Sequence, residues 1–311
     1  MKIGFLFPGQ GAQSVGMGKD LYEKYPEYRS IYEKVNKITG KKIDELTFNV
    51  TEEELSQTQN TQIAILTMSS AILEILKKQN IKAEVSMGLS LGEYTALIYS
   101  GALSFEDGIK IVQKRGELMQ NLCPKGDWSM AAILGLDEEK IKEVCNSITT
   151  GFVAPANYNC TGQIVISGEK QAVLEAIDKC KQEGAKKAIE LKTSGPFHTC
   201  KLIEASEALK KELEQIKIND FQTKVIKNID GKSYEPKDNV KEILANHIIN
   251  PVKFANGLQE MIDMGIDTFI EIGPGKTLSG FVKRTNKDVK ILNINDVETL
   301  EKILNGGLEN E

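Results

Sequence analysis

The segment Gly88-Leu89-Ser90-Leu91-Gly92 constrains this chain more than any other stretch. It follows Ala83-Glu84-Val85-Ser86-Met87, an alternating run that predicts a strand, and precedes Glu93-Tyr94-Thr95-Ala96-Leu97-Ile98, which predicts a helix. Strand, Gly-x-Ser-x-Gly and helix in that order is the context of a nucleophile elbow. The glycines let the backbone turn sharply enough to hold the serine oxygen clear of its own chain. The following helix aims its positive end, with the amide of Leu91, at any oxyanion formed there. With 26 glycines and 16 serines in 311 residues, the bare pattern is expected by chance about 0.1 times, so its flanks carry the weight. The competing reading is a tight strand-to-helix turn with an incidental serine.

A serine acts as a nucleophile only beside a base, and the chain has two histidines, His198 and His247. His198 follows Ser194-Gly195-Pro196-Phe197, and its flanks alone fit a structural role as well as a catalytic one. His247 ends a helical run over 241–249, just before Pro251, where capping or a surface position is the ordinary role.

Strands alternate with helices along the chain, the pattern of an α/β fold with a mainly parallel sheet. Residues 2–7 predict the first strand, 17–38 and 61–79 helices, and Ser104-Phe105-Glu106-Asp107 resembles a capping box opening a helix that runs to about 122. Residues 267–272 predict a late strand. Between 129 and 191 the order changes to strand 129–134, helix 137–148, strands 151–157 and 163–167, helix 170–182 and strand 185–191. That β-α-β-β-α-β order is ferredoxin-like. The expected organisation is a large subdomain, 1–126 and 195–311, with a small subdomain inserted at 127–194 that could roof the site.

Composition excludes several function classes. The net charge of −5 and pI near 5.4 argue against a nucleic-acid surface. Five cysteines, odd in number and without a Cys-x-x-Cys, argue for a reducing compartment and against disulfides or a zinc site. The N-terminal apolar run is too short for a signal peptide and no segment is long enough to cross a membrane, so a cytoplasmic protein is expected. Gly9-Gln10-Gly11-Ala12-Gln13-Ser14 places Ser14 where a dinucleotide fingerprint needs its third glycine. Gly275-Lys276-Thr277 lacks the first glycine of a phosphate loop, since Ile270 stands there. Glu52, Glu53 and Glu54 predict the exposed first turn of a helix.

Seven segments, in this order, carry a resemblance: Phe7-Pro8-Gly9-Gln10-Gly11-Ala12-Gln13, Gly88 to Tyr94, Gln113-Lys114-Arg115-Gly116, Ala156-Asn157-Tyr158-Asn159, Gly195-Pro196-Phe197-His198, Asn250-Pro251-Val252 and Glu271-Ile272-Gly273-Pro274-Gly275. Together they closely resemble malonyl-CoA:acyl carrier protein transacylases of type II fatty acid synthesis, over essentially the whole chain. The resemblance implies an α/β-hydrolase-like large subdomain and a ferredoxin-like small one. It implies ping-pong transfer of malonyl from coenzyme A to the phosphopantetheine thiol of acyl carrier protein, with no cofactor beyond the thioester substrate and no metal. By motif match Ser90 is the nucleophile and His198 the base; the amides of Gln10 and Leu91 form the oxyanion hole, and Arg115 holds the malonyl carboxylate. Gln62 and Asn159 match less sharply as pocket-lining residues, a turn role fitting Asn159 nearly as well, and Phe197 is expected either to line the acyl pocket or to be a core aromatic. Where the family often has glutamine this chain has His247, and only its backbone carbonyl is expected to orient the catalytic histidine. A monomer is expected. Lys192, Lys201, Lys276, Lys283 and Arg284 flank the site segments and are expected to attract an acidic carrier. The alternatives are a serine esterase or thioesterase, a malonyltransferase serving a polyketide synthase, and a non-catalytic carrier-binding module.

Physics bears on Arg115 independently. Ile111, Val112, Leu118, Met119 and Leu122 lie at −4, −3, +3, +4 and +7 from it, so the arginine falls inside the apolar stripe of its helix. A buried guanidinium keeps its proton and needs an anion. Either an internal Asp or Glu, or the carboxylate of a malonyl group, would supply it.

Overall fold

The chain folds around two sheets. The computed structural model describes residues 1–191, 193 and 195–308. Strands β1 (Ile3–Phe7), β2 (Val85–Gly88), β7 (Lys224–Ile226), β8 (Thr268–Ile272) and β9 (Lys290–Ile294) form the first sheet, in the order β7-β2-β1-β8-β9 with every strand pair parallel. The central three strands are buried on both faces, which is why they read as continuous apolar runs rather than alternating ones. Strands β3 (Trp128–Leu134), β4 (Val153–Cys160), β5 (Gln163–Glu169) and β6 (Lys187–Leu191) form the second sheet, antiparallel throughout, in the order β4-β5-β3-β6. Helices Glu138–Asn146 and Lys170–Gln182 follow β3 and β5. The α/β class with a parallel sheet and a second sheet is as the sequence led us to expect.

One helix differs from expectation. Residues 17–38 form two helices, Lys19–Lys24 and Pro26–Thr39, broken at Tyr25. Pro26 has no N–H to continue the first helix and forces Tyr25 into an extended conformation, φ −108° and ψ 112°; it then serves as the first residue of the next helix. Helix Phe105–Asn121 opens as expected at Ser104, whose side chain accepts the Asp107 amide. It packs against helix Thr58–Lys78 at Gly116, where a Cβ would meet the Gln59 Cα at 2.8 Å. That close approach brings Arg115 and Gln62 together. The expected helix over the glutamates is Glu52–Leu55, capped by Thr51.

The second sheet is tied to the main-chain segment that precedes helix Phe254–Asp263. Tyr158 N–H donates to the Val252 carbonyl and Val252 N–H to the Ala156 carbonyl, each at 2.8 Å, tying β4 to the Asn250-Pro251-Val252 segment. The buried carboxylate of Glu271 accepts the Leu278 and Ser279 amides, at 3.1 and 2.7 Å, and so occupies the helix N-terminus that a phosphate loop would offer to a ligand.

Candidate active site

Strand β2 ends at Gly88 and helix Gly92–Tyr99 begins four residues on, which leaves Ser90 at the apex. Ser90 takes φ 53°, a left-handed conformation that side chains rarely adopt. A Cβ on Gly88 would lie 1.8 Å from the Gly92 carbonyl carbon, so the turn closes only with glycine there. Asn228 holds the apex from outside: its Oδ1 accepts the Ser90 amide and its Nδ2 donates to the Gly88 carbonyl, both at 2.7 Å.

His198 Nε2 lies 2.8 Å from Ser90 Oγ. Its Nδ1 faces the carbonyls of His247, at 3.0 Å, and Asn250, at 3.3 Å. Carbonyls only accept, so Nδ1 carries the ring proton and Nε2 is left as the acceptor for the serine hydroxyl. Burial, and secondarily the nearby Arg115 charge, hold the His198 imidazole down to about 4, which keeps it neutral and basic in form at ordinary pH.

Arg115 is 1% exposed. It donates to Gln62 Oε1 at 2.6 Å and to Ser90 Oγ at 3.0 Å, and its guanidinium lies over the Tyr94 ring, 5.4 Å from the centroid. Nε has no partner. Among the described residues no carboxylate forms an ion pair with it; the nearest charge acting on it, Glu93, is already engaged by Tyr234 and Asn228. The internal ion-pair reading of Arg115 therefore fails. A cation sits against the serine oxygen with bonding capacity in hand.

The remaining expected residues fall as follows. The backbone amides of Gln10 and Leu91 have no hydrogen-bond partner among the described residues, and Gln10 Nε2 donates to Thr58 Oγ1 at 3.2 Å. Asn159, on β4, is buried with its Oδ1 unpartnered. Phe197 is buried directly before His198. His247 is neither a surface residue nor a cap. Its side chain is fully buried, its ring centroid is 5.0 Å from that of His198, and its Nδ1 faces Glu93 Oε2 at 3.4 Å without hydrogen-bond geometry. The helix ends against the core here rather than in solvent, because the His247 and Asn250 carbonyls are needed inside. Of the basic residues, Lys201, Lys276, Lys283 and Arg284 are exposed, Arg284 bonding to Gln163, while Lys192 lies outside the described residues. No disulfide joins any of the five cysteines. No described helix is long and apolar enough to cross a membrane.

Residues 4–303 match the acyl transferase domain family. The chain is 44% identical over 302 residues to a malonyl CoA-acyl carrier protein transacylase of Bacillus subtilis, covering 96% of this chain and 95% of that protein. The chain belongs to the malonyl CoA-acyl carrier protein transacylase family. A Staphylococcus aureus member is 42% identical over 96% of this chain and 97% of its own length. The crystal structure of the Clostridium perfringens member superposes with a TM-score of 0.95 at 46% identity, covering 99% of this chain and 98% of that one. A second neighbour, a malonyl-transacylase in complex with a type II polyketide synthase acyl-carrier protein, superposes with a TM-score of 0.94 at 34% identity, covering 98% and 100%. Sequence reading missed Asn228, Glu93 and Tyr234, which are hydrogen-bonded around the elbow. The only available signal was Glu93, a carboxylate placed inside an otherwise apolar helix start.

Proposed function

We propose that this chain transfers a malonyl group from malonyl-CoA to the phosphopantetheine thiol of acyl carrier protein, through an ester on Ser90. Arg115 carries the reading: a buried guanidinium that forms no ion pair among the described residues, 3.0 Å from the serine oxygen. A free carboxylate on the acyl group completes its pairing and fixes the thioester carbonyl against Ser90. Gln62, bonded to Arg115, sets the guanidinium plane, while Asn159 and Phe197 border the acyl chain.

His198 Nε2 accepts the Ser90 proton as Oγ attacks the thioester carbon. The Gln10 and Leu91 amides receive the oxyanion, and the departing coenzyme A thiolate takes the proton back from His198. The carrier thiol then gives its proton to His198 and attacks the ester, and Ser90 leaves with that proton restored. Atoms and charge balance without a cofactor or a metal. A thiolate leaves more readily than an alkoxide, so two carbonyls on Nδ1 suffice where a serine hydrolase places Asp or Glu in its triad. That absence speaks against the esterase reading.

The strand order β4-β5-β3-β6 and the β-α-β-β-α-β sequence support a ferredoxin-like small subdomain, 127–194, inserted in an α/β-hydrolase-like one, 1–126 and 195–311. Ser90, His198 and Arg115 meet within one chain, so the site needs no second copy, and five cysteines without a disulfide suit the cytoplasm. Exposed Lys201, Lys276, Lys283 and Arg284 supply positive charge for an acidic carrier. The test is Arg115→Ala assayed with malonyl-CoA and with acetyl-CoA. Losing one partner of a desolvated charge pair costs about 2–5 kcal/mol, so malonyl transfer falls steeply while acetyl transfer holds or rises. Equal losses with a lowered Tm would make Arg115 structural.

A further inference from the structure

The glycines permit the Ser90 conformation but do not enforce it. A residue that frees an elbow from steric conflict also leaves its backbone loose, and φ 53° is a conformation that serine abandons unless something holds it. Asn228 is in position to hold it. It lies 138 residues from the serine, in the turn after β7, and is 1% exposed.

The chemistry of the two bonds is selective. The Ser90 amide can only donate and the Gly88 carbonyl can only accept, so the bridging side chain needs one acceptor and one donor on the same carbon. A carboxamide of asparagine length meets this, with both contacts at 2.7 Å. An ionised aspartate offers two acceptors and turns one against the Gly88 carbonyl. Asn228 is itself fixed: its backbone N–H donates to Glu93 Oε2 at 3.1 Å, and Glu93 Oε1 accepts the Tyr234 hydroxyl at 2.6 Å. Glu93 stands in the first turn of the elbow helix. The bonds therefore run in a closed ring, from β2 through the serine to the helix and back through residue 228.

We propose that Asn228 is a positioning residue of the transfer, its carboxamide fixing the direction in which the Ser90 hydroxyl and the adjoining Leu91 amide point. Without it, the peptide plane before Ser90 is free to rotate, carrying Oγ away from His198 Nε2. The Arg115–Gln62 pair lies outside the ring and keeps its geometry, so the substrate is still held while the reacting atoms lose alignment.

This inference rests on Ser90 as the nucleophile, and the experiment separates the two claims. Asn228→Ala and Asn228→Asp are assayed for malonyl transfer, with Ser90→Ala as control. Misplacement of a reacting group costs about 100-fold in rate; Asn228→Ala lowers kcat by about that factor with KM for malonyl-CoA changed less than about threefold. Asn228→Asp loses a comparable amount near pH 8. It recovers relative to the unmutated protein as pH falls towards about 5.5, because a protonated carboxyl again presents one donor and one acceptor. The charged and titratable groups around residue 228 are Glu93, Tyr234, His198, His247 and Arg115, with Lys227 paired to Asp230 and Asp238. The unmutated protein carries all of them, so the ratio of the two profiles reads residue 228 together with its bond to Glu93, which burial pushes up to about 7. A kcat within about threefold for Asn228→Ala, or a flat Asn228→Asp ratio, overturns the proposal. Should Asn228→Ala fail to fold, the Asn228→Asp ratio alone decides. Activity surviving in Ser90→Ala would instead remove the nucleophile assignment on which the clamp depends.

Discussion

Ser90 and His198 both sit at positive φ, 53° and 59°, and meet at 2.8 Å, yet their arms are built in opposite ways. The serine arm is mainly local, with strand, glycine, serine, glycine and helix inside residues 85–99 and one distant clamp at Asn228. The histidine arm is assembled from distant chain. Its ring is aimed by the carbonyls of His247 and Asn250, about fifty residues on, and its backbone N–H donates to the Ile248 carbonyl at 3.1 Å. A mainly local motif holds the proposed nucleophile, and a long-range set of carbonyls holds the proposed base. Backbone carbonyls impose no demand on residue type, so the histidine arm places no constraint on which side chain stands at 247.

That contrast can be broken most sharply by His198→Ala. Removing a positioned base costs about 10²–10⁴-fold in rate, and the loss appears in kcat with malonyl-CoA while the fold and the Arg115 pair persist. A loss below tenfold would mean that another group takes the serine proton.

The acid limb of the pH profile is the next measure. Burial, with Arg115 nearby, holds the His198 imidazole at about 4 instead of 6.5. The neutral form is the active one, so activity persists as pH falls through 6.5 and declines only towards 4. For stability the sign is set by the same depression: protons bind the unfolded histidine first, so stability is full above 6.5 and is lost as pH falls towards 4. An acid limb at 6.5 in kcat/KM would show His198 solvated.

His247→Ala should have the smallest effect. The carbonyl survives the substitution, so transfer stays within about tenfold. What changes is packing: the ring is fully buried against His198, 5.0 Å between centroids, and its removal leaves a cavity that lowers Tm. If His247→Ala were as inactive as His198→Ala, the side chain and not the carbonyl would be the working part.

Legibility in the sequence follows the same divide. Ser90, its strand and its helix could be read because the motif that shapes the turn lies within a few residues, although the Asn228 bonds that hold its apex do not. Arg115 could be placed inside because a helix fixes which offsets share a face. His198 could be singled out by scarcity, but not its carbonyl partners, since a backbone acceptor leaves no trace in residue identity. Asn228 in Lys227-Asn228-Ile229-Asp230 looks like any turn asparagine; only the folded chain sets it under the elbow. Strands β7 and β9 were missed for a related reason. One is three residues long with an exposed end and the other is only half-buried, so neither shows the apolar run of β1 or β8. The break at Tyr25 is different, since Pro26 announced it and the apolar period on either side hid it.

The central claim is that the serine arm carries the acyl group by itself, before any carrier arrives. Mixing the protein with malonyl-CoA alone, followed by acid quench and peptide mass spectrometry, tests it directly. The expected result is one malonyl group on the peptide containing Ser90, formed without carrier protein, discharged on adding the carrier and absent in Ser90→Ala. A protein that stays unmodified until the carrier is added, or that is labelled equally in Ser90→Ala, would contradict it.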